Sequence, residues 1–146
     1  MSFRGDFPLP DLDWEPARPF WEGAARGELV TPRCQGCASL VWYPDGPCRR
    51  CGAIEREWVA LSGRGRLFSW SFVRRAFIPQ FAGLVPFAPA LVVPVEDQAV
   101  RLVTIIVDCS PEDLAIDMPV EVVFRPLRFE GVAGEVVAPL FTKPNR

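Results

Sequence analysis

The stretch TPRCQGCASLVWYPDGPCRRCG, residues 31–52, carries four of the five cysteines of the chain as Cys34-x2-Cys37 and Cys48-x2-Cys51, with ten residues between the pairs. Two such knuckles can face one another across a hairpin and present four sulfurs tetrahedrally, which is the arrangement of a structural metal site. Each knuckle needs tight turns that aim backbone N–H groups at the thiolates, and Gly36 and Gly52 stand where that freedom is wanted. With thiolates in all four positions no coordination site is left for water, so the metal holds structure and does no chemistry. Zinc is the expected ion. A tetrahedral four-sulfur site also accepts iron, and spacing does not separate the two.

The competing reading is two disulfides or a redox-active pair, which an extracellular chain or a thioredoxin-like βαβ context would favour. The opening MSFRGDFPLPDLDW has no continuous apolar core of the kind a signal peptide carries. The longest apolar run, Phe81 to Val95, is broken by Pro86, Pro89 and Pro94 and is too short to span a bilayer. The expectation is a cytoplasmic protein with reduced thiols and no membrane span.

At 146 residues the chain makes one domain or two small ones, and 49% hydrophobic with 23% charged residues supports a packed core despite sixteen prolines. Histidine is absent, which excludes Ser-His-Asp and Cys-His catalysis, His-ligated catalytic metals and imidazole general bases together. Proton transfer would fall to carboxylates, Tyr43, Lys143 or a thiol, so no catalytic residue is assigned. Cys109 ends an apolar strand pattern just before a helix start; with no histidine to activate it, it reads as a small buried hydrophobe.

Charge is uneven. Residues 31 to 80 carry eight bases against three acids, while both flanks are acidic. Arginine suits bidentate phosphate contacts, which admits a nucleotide-bearing ligand; a solvated arginine-rich face is the alternative.

Outward from the cysteines, Phe3 to Pro10 reads as extended. Pro16 and Pro19 suit the entry of a short helix whose apolar stripe is Phe20, Trp21 and Ala24, with Gly27 at its end. Leu29 to Pro32 reads as a strand into the first knuckle and Leu40 to Tyr43 as the strand leaving it. After Trp58 to Leu61 and a Ser62-Gly63-Arg64-Gly65 bend, Arg66 to Arg74 alternates, placing Phe68, Trp70 and Phe72 on one face as barrel core. Strands follow at Ala88 to Val95, Val100 to Val107, Met118 to Phe129 and Gly134 to Phe141, with a helical turn after Ser110-Pro111. Five strands with a short helix between the third and fourth is the order of an OB-fold barrel. The expected organisation is mainly β: residues 1–30 an N-terminal extension and helix, 31–56 a zinc ribbon, and 57–146 a five-stranded OB-fold domain.

In that order, ARPFWEGAARGEL, CQGC, CRRC, WVALSGRGRLFSWSFV and VRLVTIIVDCSPEDLAIDMPVEVVF resemble the acyl-CoA-associated OB-fold family, also labelled domain of unknown function 35, over about residues 14 to 142. The resemblance implies an N-terminal helix, a rubredoxin-like zinc ribbon and a C-terminal OB-fold. It also implies a partner: a thiolase-superfamily subunit in a complex whose substrate is a CoA thioester. Such complexes include archaeal thiolase and synthase assemblies, acyltransferases and the thiolase-like aldolases of steroid side-chain breakdown in lipid metabolism. The stretch RRAFIPQFAGLVPFAP, residues 74–89, departs from the family in being unusually apolar.

Two functions follow. The first is a non-catalytic subunit of an acyl-CoA aldolase, thiolase or acyltransferase complex. Its partner interface is expected at Trp14, Phe20 and Trp21 in the helix and at Phe77, Ile78, Phe81, Leu84 and Phe87 in the apolar loop. The second is nucleic-acid binding through Phe68, Trp70 and Phe72 with arginines on phosphate, against which stand a net charge of −2 and an isoelectric point near 5.2.

Overall fold

Local chemistry at the N-terminal end produces the only α-helix of the described residues. A computed structural model describes residues 4–145 of the chain. Pro16 and Pro19 occupy first-turn positions, where a missing N–H costs nothing, so a 3-10 turn at Glu15–Ala17 runs directly into α1 (Arg18–Ala25). Gly27, at a φ of 79°, ends it. Upstream the expected extended segment is instead folded into turns: Phe7 N–H reaches Arg4 O and Leu9 N–H reaches Asp6 O, and Leu9 is buried. Phe3 lies outside the described residues.

Strand β1 (Val30–Cys34) pairs antiparallel with β2 (Arg56–Ala60), from Val30 opposite Ala60 to Cys34 opposite Arg56. The strand expected at Leu40 to Tyr43 does not form. Only an Arg33–Leu40 bridge and the Val41 N–H to Pro32 O bond, 2.8 Å, mark it. Leu40 and Val41 are drawn inward as apolar plugs, and the chain then turns so that the Trp42 ring meets Phe20 at 4.7 Å.

The remaining strands, β3 (Arg64–Trp70), β4 (Ala88–Pro94), β5 (Leu102–Ile106), β6 (Pro119–Leu127) and β7 (Val136–Thr142), close a barrel in the order β3-β4-β5-β7-β6. All its pairings are antiparallel except β5 with β7, where Ile106 faces Phe141. A single 3-10 turn, Pro111–Asp113, sits between β5 and β6, and the Ser110 hydroxyl donates to Asp113 Oδ2 at 3.0 Å without capping the backbone. This is the OB-fold barrel. No helix among the described residues is long and apolar enough to cross a membrane.

One strand departs from its alternation. The β3–β4 register shifts between Leu67 and Ser69, so Phe68 is a bulge residue and the inward phase changes across it. Leu67 is fully buried, Trp70 and Phe72 pack against the core, and Phe68 is turned outward, 39% exposed, with the Arg101 guanidinium 4.2 Å over its ring. The three aromatics therefore do not share a face. The core holds Phe20, Leu29, Leu40 and Leu61 together with the barrel residues Leu67, Val92, Leu102, Val120 and Phe141. Helix, ribbon base and barrel are thus joined in one apolar cluster.

Gly65 lets β3 cross closely over β4: a Cβ there would stand 2.6 Å from Val93 O and 2.8 Å from Val92 Cγ1. The first of these is backbone and cannot step aside. Gly65→Ala is expected to destabilise the fold by about 1–3 kcal/mol in urea or thermal unfolding. Gly46→Ala, where nothing lies within 4 Å, is expected to change it by less than about 0.5 kcal/mol.

Candidate metal centre and exposed surfaces

The two knuckles are the same piece of backbone used twice. Cys34 N–H donates to Ser39 O and Cys48 N–H to Ala53 O, both at 2.8 Å; Ala38 N–H returns to Cys34 O and Gly52 N–H to Cys48 O. The residue four beyond each leading cysteine is left-handed, Gly52 at a φ of 78° and Ala38 at 64°. Gly36 serves differently from expectation: a Cβ there would lie 3.0 Å from Ala53 Cβ and 3.2 Å from Cys51 Sγ. It makes room for the facing knuckle, and its N–H donates to Cys34 Sγ at 3.3 Å.

The sulfurs of Cys34, Cys37, Cys48 and Cys51 all lie within 4.8 Å of one another, with Cys34 to Cys51 at 3.5 Å and Cys37 to Cys48 at 3.7 Å. A tetrahedral ion with metal–sulfur bonds of about 2.3 Å sets sulfur–sulfur edges of about 3.8 Å, so the donor set fits one tetrahedral metal ion. The cysteines are free thiols in this structure, with no disulfide formed among them.

Electrostatics point the same way. The Ser39 hydroxyl and N–H hold the Cys37 thiol down to about 6. Cys48 is lowered by N–H groups of Cys51 and Arg50. The Ala53 N–H also favours the Cys51 thiolate, but the Cys34 sulfur, burial and the other two sulfurs outweigh it and raise that thiol to about 12. Four negative sulfurs this close need a cation among them. Ser39 is itself held by Arg50, whose Nη1 donates to the Ser39 oxygen at 3.2 Å, so a relay from Arg50 orients one ligand.

An aromatic chain joins the ribbon to the helix. Trp21 and Phe20 meet edge-on at 4.9 Å, Phe20 and Trp42 at 4.7 Å, Trp42 and Tyr43 at 5.1 Å, and Tyr43 and Trp14 at 5.6 Å. Phe20, counted above with the interface residues, is 8% exposed and belongs to the core; α1 spends it on the ribbon. Trp14 and Tyr43 stay exposed and Trp21 half-buried. Beside them a cavity of about 180 Å³ opens between ribbon and barrel, with Trp42, Tyr43, Arg49, Arg50, Asp97 and Val100 in its lining.

The apolar loop after β3 folds back on the β6–β7 connection. Phe81 packs on Phe87 at 5.8 Å and on Phe129 at 5.5 Å, and Glu130 N–H donates to Gln80 O at 2.9 Å. Ile78, Phe81, Leu84 and Phe87 are half-buried as a result, whereas Phe77 is 85% exposed. Phe129 and Glu130 were not anticipated, because nothing local in sequence ties a loop to another loop about fifty residues away.

The geometry can be set beside known proteins. Residues 21–55 match the family model described as "ChsH2, rubredoxin-like zinc ribbon domain" and residues 58–125 the one described as "ChsH2, C-terminal OB-fold domain". A "DUF35 domain-containing scaffold protein" of Methanocaldococcus jannaschii is 33% identical over 117 residues, 80% of this chain and 81% of that one. A "Probable enoyl-CoA hydratase alpha subunit" of Thermomonospora curvata is 35% identical over 115 residues, 77% of this chain but 34% of the relative, which is about three times as long as the shared part. Among solved structures, a chain of the "Ltp2-ChsH2(DUF35) aldolase" superposes with a TM-score of 0.75 at 27% identity, covering 92% of this chain and 98% of that one.

Elemental analysis of purified protein is expected to give one metal ion per chain, lost in a Cys34→Ser variant together with the fold of the ribbon, since such sites bind with about 10–16 kcal/mol. Ser39→Ala is expected to weaken metal affinity by about tenfold or more in a chelator competition. Metal-free protein with an intact ribbon would contradict both.

Proposed function

The chain belongs to the DUF35 family of zinc-ribbon and OB-fold proteins, and on that premise we propose that it is the non-catalytic subunit of a thiolase-superfamily enzyme complex acting on acyl-CoA substrates. The observation that carries this reading is the match over nearly the whole length of the DUF35 chain of an aldolase complex, at an identity above that of fold likeness alone. The scaffold name of the archaeal relative is of the same class. The absence of histidine supports a partner that brings the acid–base chemistry.

Within this reading the bound ion is zinc, the redox-inert choice for a site that only holds structure, and the proposed setting is the cytoplasm, which keeps such thiols reduced. The favoured complex is an aldolase acting on a bulky polycyclic acyl-CoA of steroid side-chain degradation, because the loop of residues 76–89 offers apolar surface for a hydrophobic substrate or for the subunit around it. Arg49 and Arg50 in the lining of the ribbon–barrel cavity provide phosphate-compatible groups near the aromatic chain. Trp14 and Trp21 with Phe77, Ile78, Phe81, Leu84 and Phe87 form the proposed contact with the enzyme subunit.

Affinity purification of the tagged chain from its native host, with mass spectrometry of what co-elutes, tests this. The expected result is a thiolase-superfamily subunit in fixed stoichiometry, acyl-CoA turnover by the complex, and none by the isolated chain. Turnover by the pure isolated chain, or a stoichiometric partner of another class, would overturn the reading.

A further inference from the structure

The loop after β3 is built as a rigid hook. Its base is closed by the Val73–Phe87 bridge, with Val73 N–H to Phe87 O at 2.8 Å and Phe87 N–H to Val73 O at 3.0 Å. Its middle is held by the Phe81 contacts to Phe87 and Phe129 and by the Glu130 N–H bond to Gln80 O. Between these fixed points the Phe77 ring stays 85% exposed, the most exposed large hydrophobic side chain among the described residues. Ordering a loop before binding removes much of the entropy that binding would otherwise lose.

Just before Phe77 in sequence come two cations. Arg74 and Arg75 are exposed and, like Arg33 and Arg64 but unlike Arg4, Arg26, Arg49, Arg66, Arg125 and Arg128, have no carboxylate partner among the described residues. Arg74 lies over the Phe72 ring at 4.9 Å, which steadies its stem and leaves its donors free. The hook follows a stretch of the barrel exterior where Ser69 stands opposite Leu91 and Leu91 opposite Val103, the latter 76% exposed.

We infer that this hook is the specificity element of the subunit contact: Phe77 enters an apolar socket on the enzyme subunit, and Arg74 and Arg75 pair with carboxylates on the rim of that socket. The inference rests on the subunit reading above and adds the chemistry its partner must present. The charges require an acidic rim, since adjacent unpaired guanidinium groups repel any basic surface and select against wrong partners. An exposed phenylalanine preceded by two arginines has the residue types enriched at protein interfaces. A nucleic-acid strand would need successive exposed stacking rings, and on this face Phe68 is already covered by Arg101. A bilayer is bound through an amphipathic helix with a long apolar face, and the loop holds only the 3-10 turn Pro79–Phe81.

Separately purified chain and enzyme subunit, the latter identified by the purification above, are titrated by interferometry at about 50 and about 300 mM salt, a range across which screening of exposed charge changes strongly. Phe77→Ser is expected to weaken binding by tenfold or more at both salts, as a buried aromatic anchor does. Arg74→Glu with Arg75→Glu is expected to slow association about tenfold at low salt, with the difference shrinking at high salt. Neither change is expected to move the melting temperature of the isolated chain. If the parent proteins bind and the variants match them within twofold, the hook inference fails alone; if the parents do not bind, the subunit reading falls with it. Tight binding of a single-stranded oligonucleotide that Phe77→Ser abolishes would assign the hook to nucleic acid and overturn the inference.

Discussion

Between β1 and β2 the larger apolar side chains, Leu40 and Trp42, pack on the helix and barrel core and leave little to fill the ribbon itself. The cluster inside the ribbon consists of Cys34, Val41 and Cys48 with Ala53 against them. Burying a valine contributes about 1.5–3 kcal/mol, whereas ordering the backbone of each residue costs about 1–2 kcal/mol, so apolar burial cannot hold this segment. Four thiolates around one cation can, because binding at such a site contributes on the order of 10 kcal/mol or more. The metal stands in for a core, and its ligands are the only side chains the ribbon could use for that purpose.

Order at the sulfurs reaches the rest of the molecule through identifiable contacts. Cys34 closes β1, and the β1–β2 ladder carries the ribbon to the threshold of the barrel. Leu40, just past the first knuckle, enters the common core and donates its N–H to Asp97 Oδ2 at 3.1 Å in the β4–β5 turn. Trp42 and Tyr43 extend the same link to α1 through Phe20 and to the turn before it through Trp14. The barrel has its own closed ladder and fully buried Leu67, Val92, Val93, Val120 and Phe141. The metal therefore governs how ribbon and helix sit on a barrel that is stable for independent reasons.

What was legible in sequence was what depends on local rules. Cysteine spacing located the four sulfurs that the fold gathers within 4.8 Å, prolines located the helix entry, and alternation located five strands in OB order. Four features escaped, three of them because they depend on distant residues. Strand β1 makes its full ladder with β2 and only one bridge with residues 40–43, where Trp42 is drawn to Phe20. The bulge at Phe68 reverses which side chains face inward, and a register shift against β4 leaves no mark in the composition of β3. Phe20 looked like surplus surface on a short helix; only the ribbon aromatic chain shows where it goes. Ala38, left-handed without being glycine, was likewise invisible until the second knuckle, with Gly52 in the same position, showed the motif repeated.

Hydrogen exchange measured with the metal bound and after its removal by a chelator reads the central claim residue by residue. The account predicts that protection collapses across residues 30–60 and weakens in α1, while β3 to β7 keep the protection of a folded barrel. Unchanged protection of the ribbon without metal would contradict it, as would loss of the whole barrel together with the ribbon.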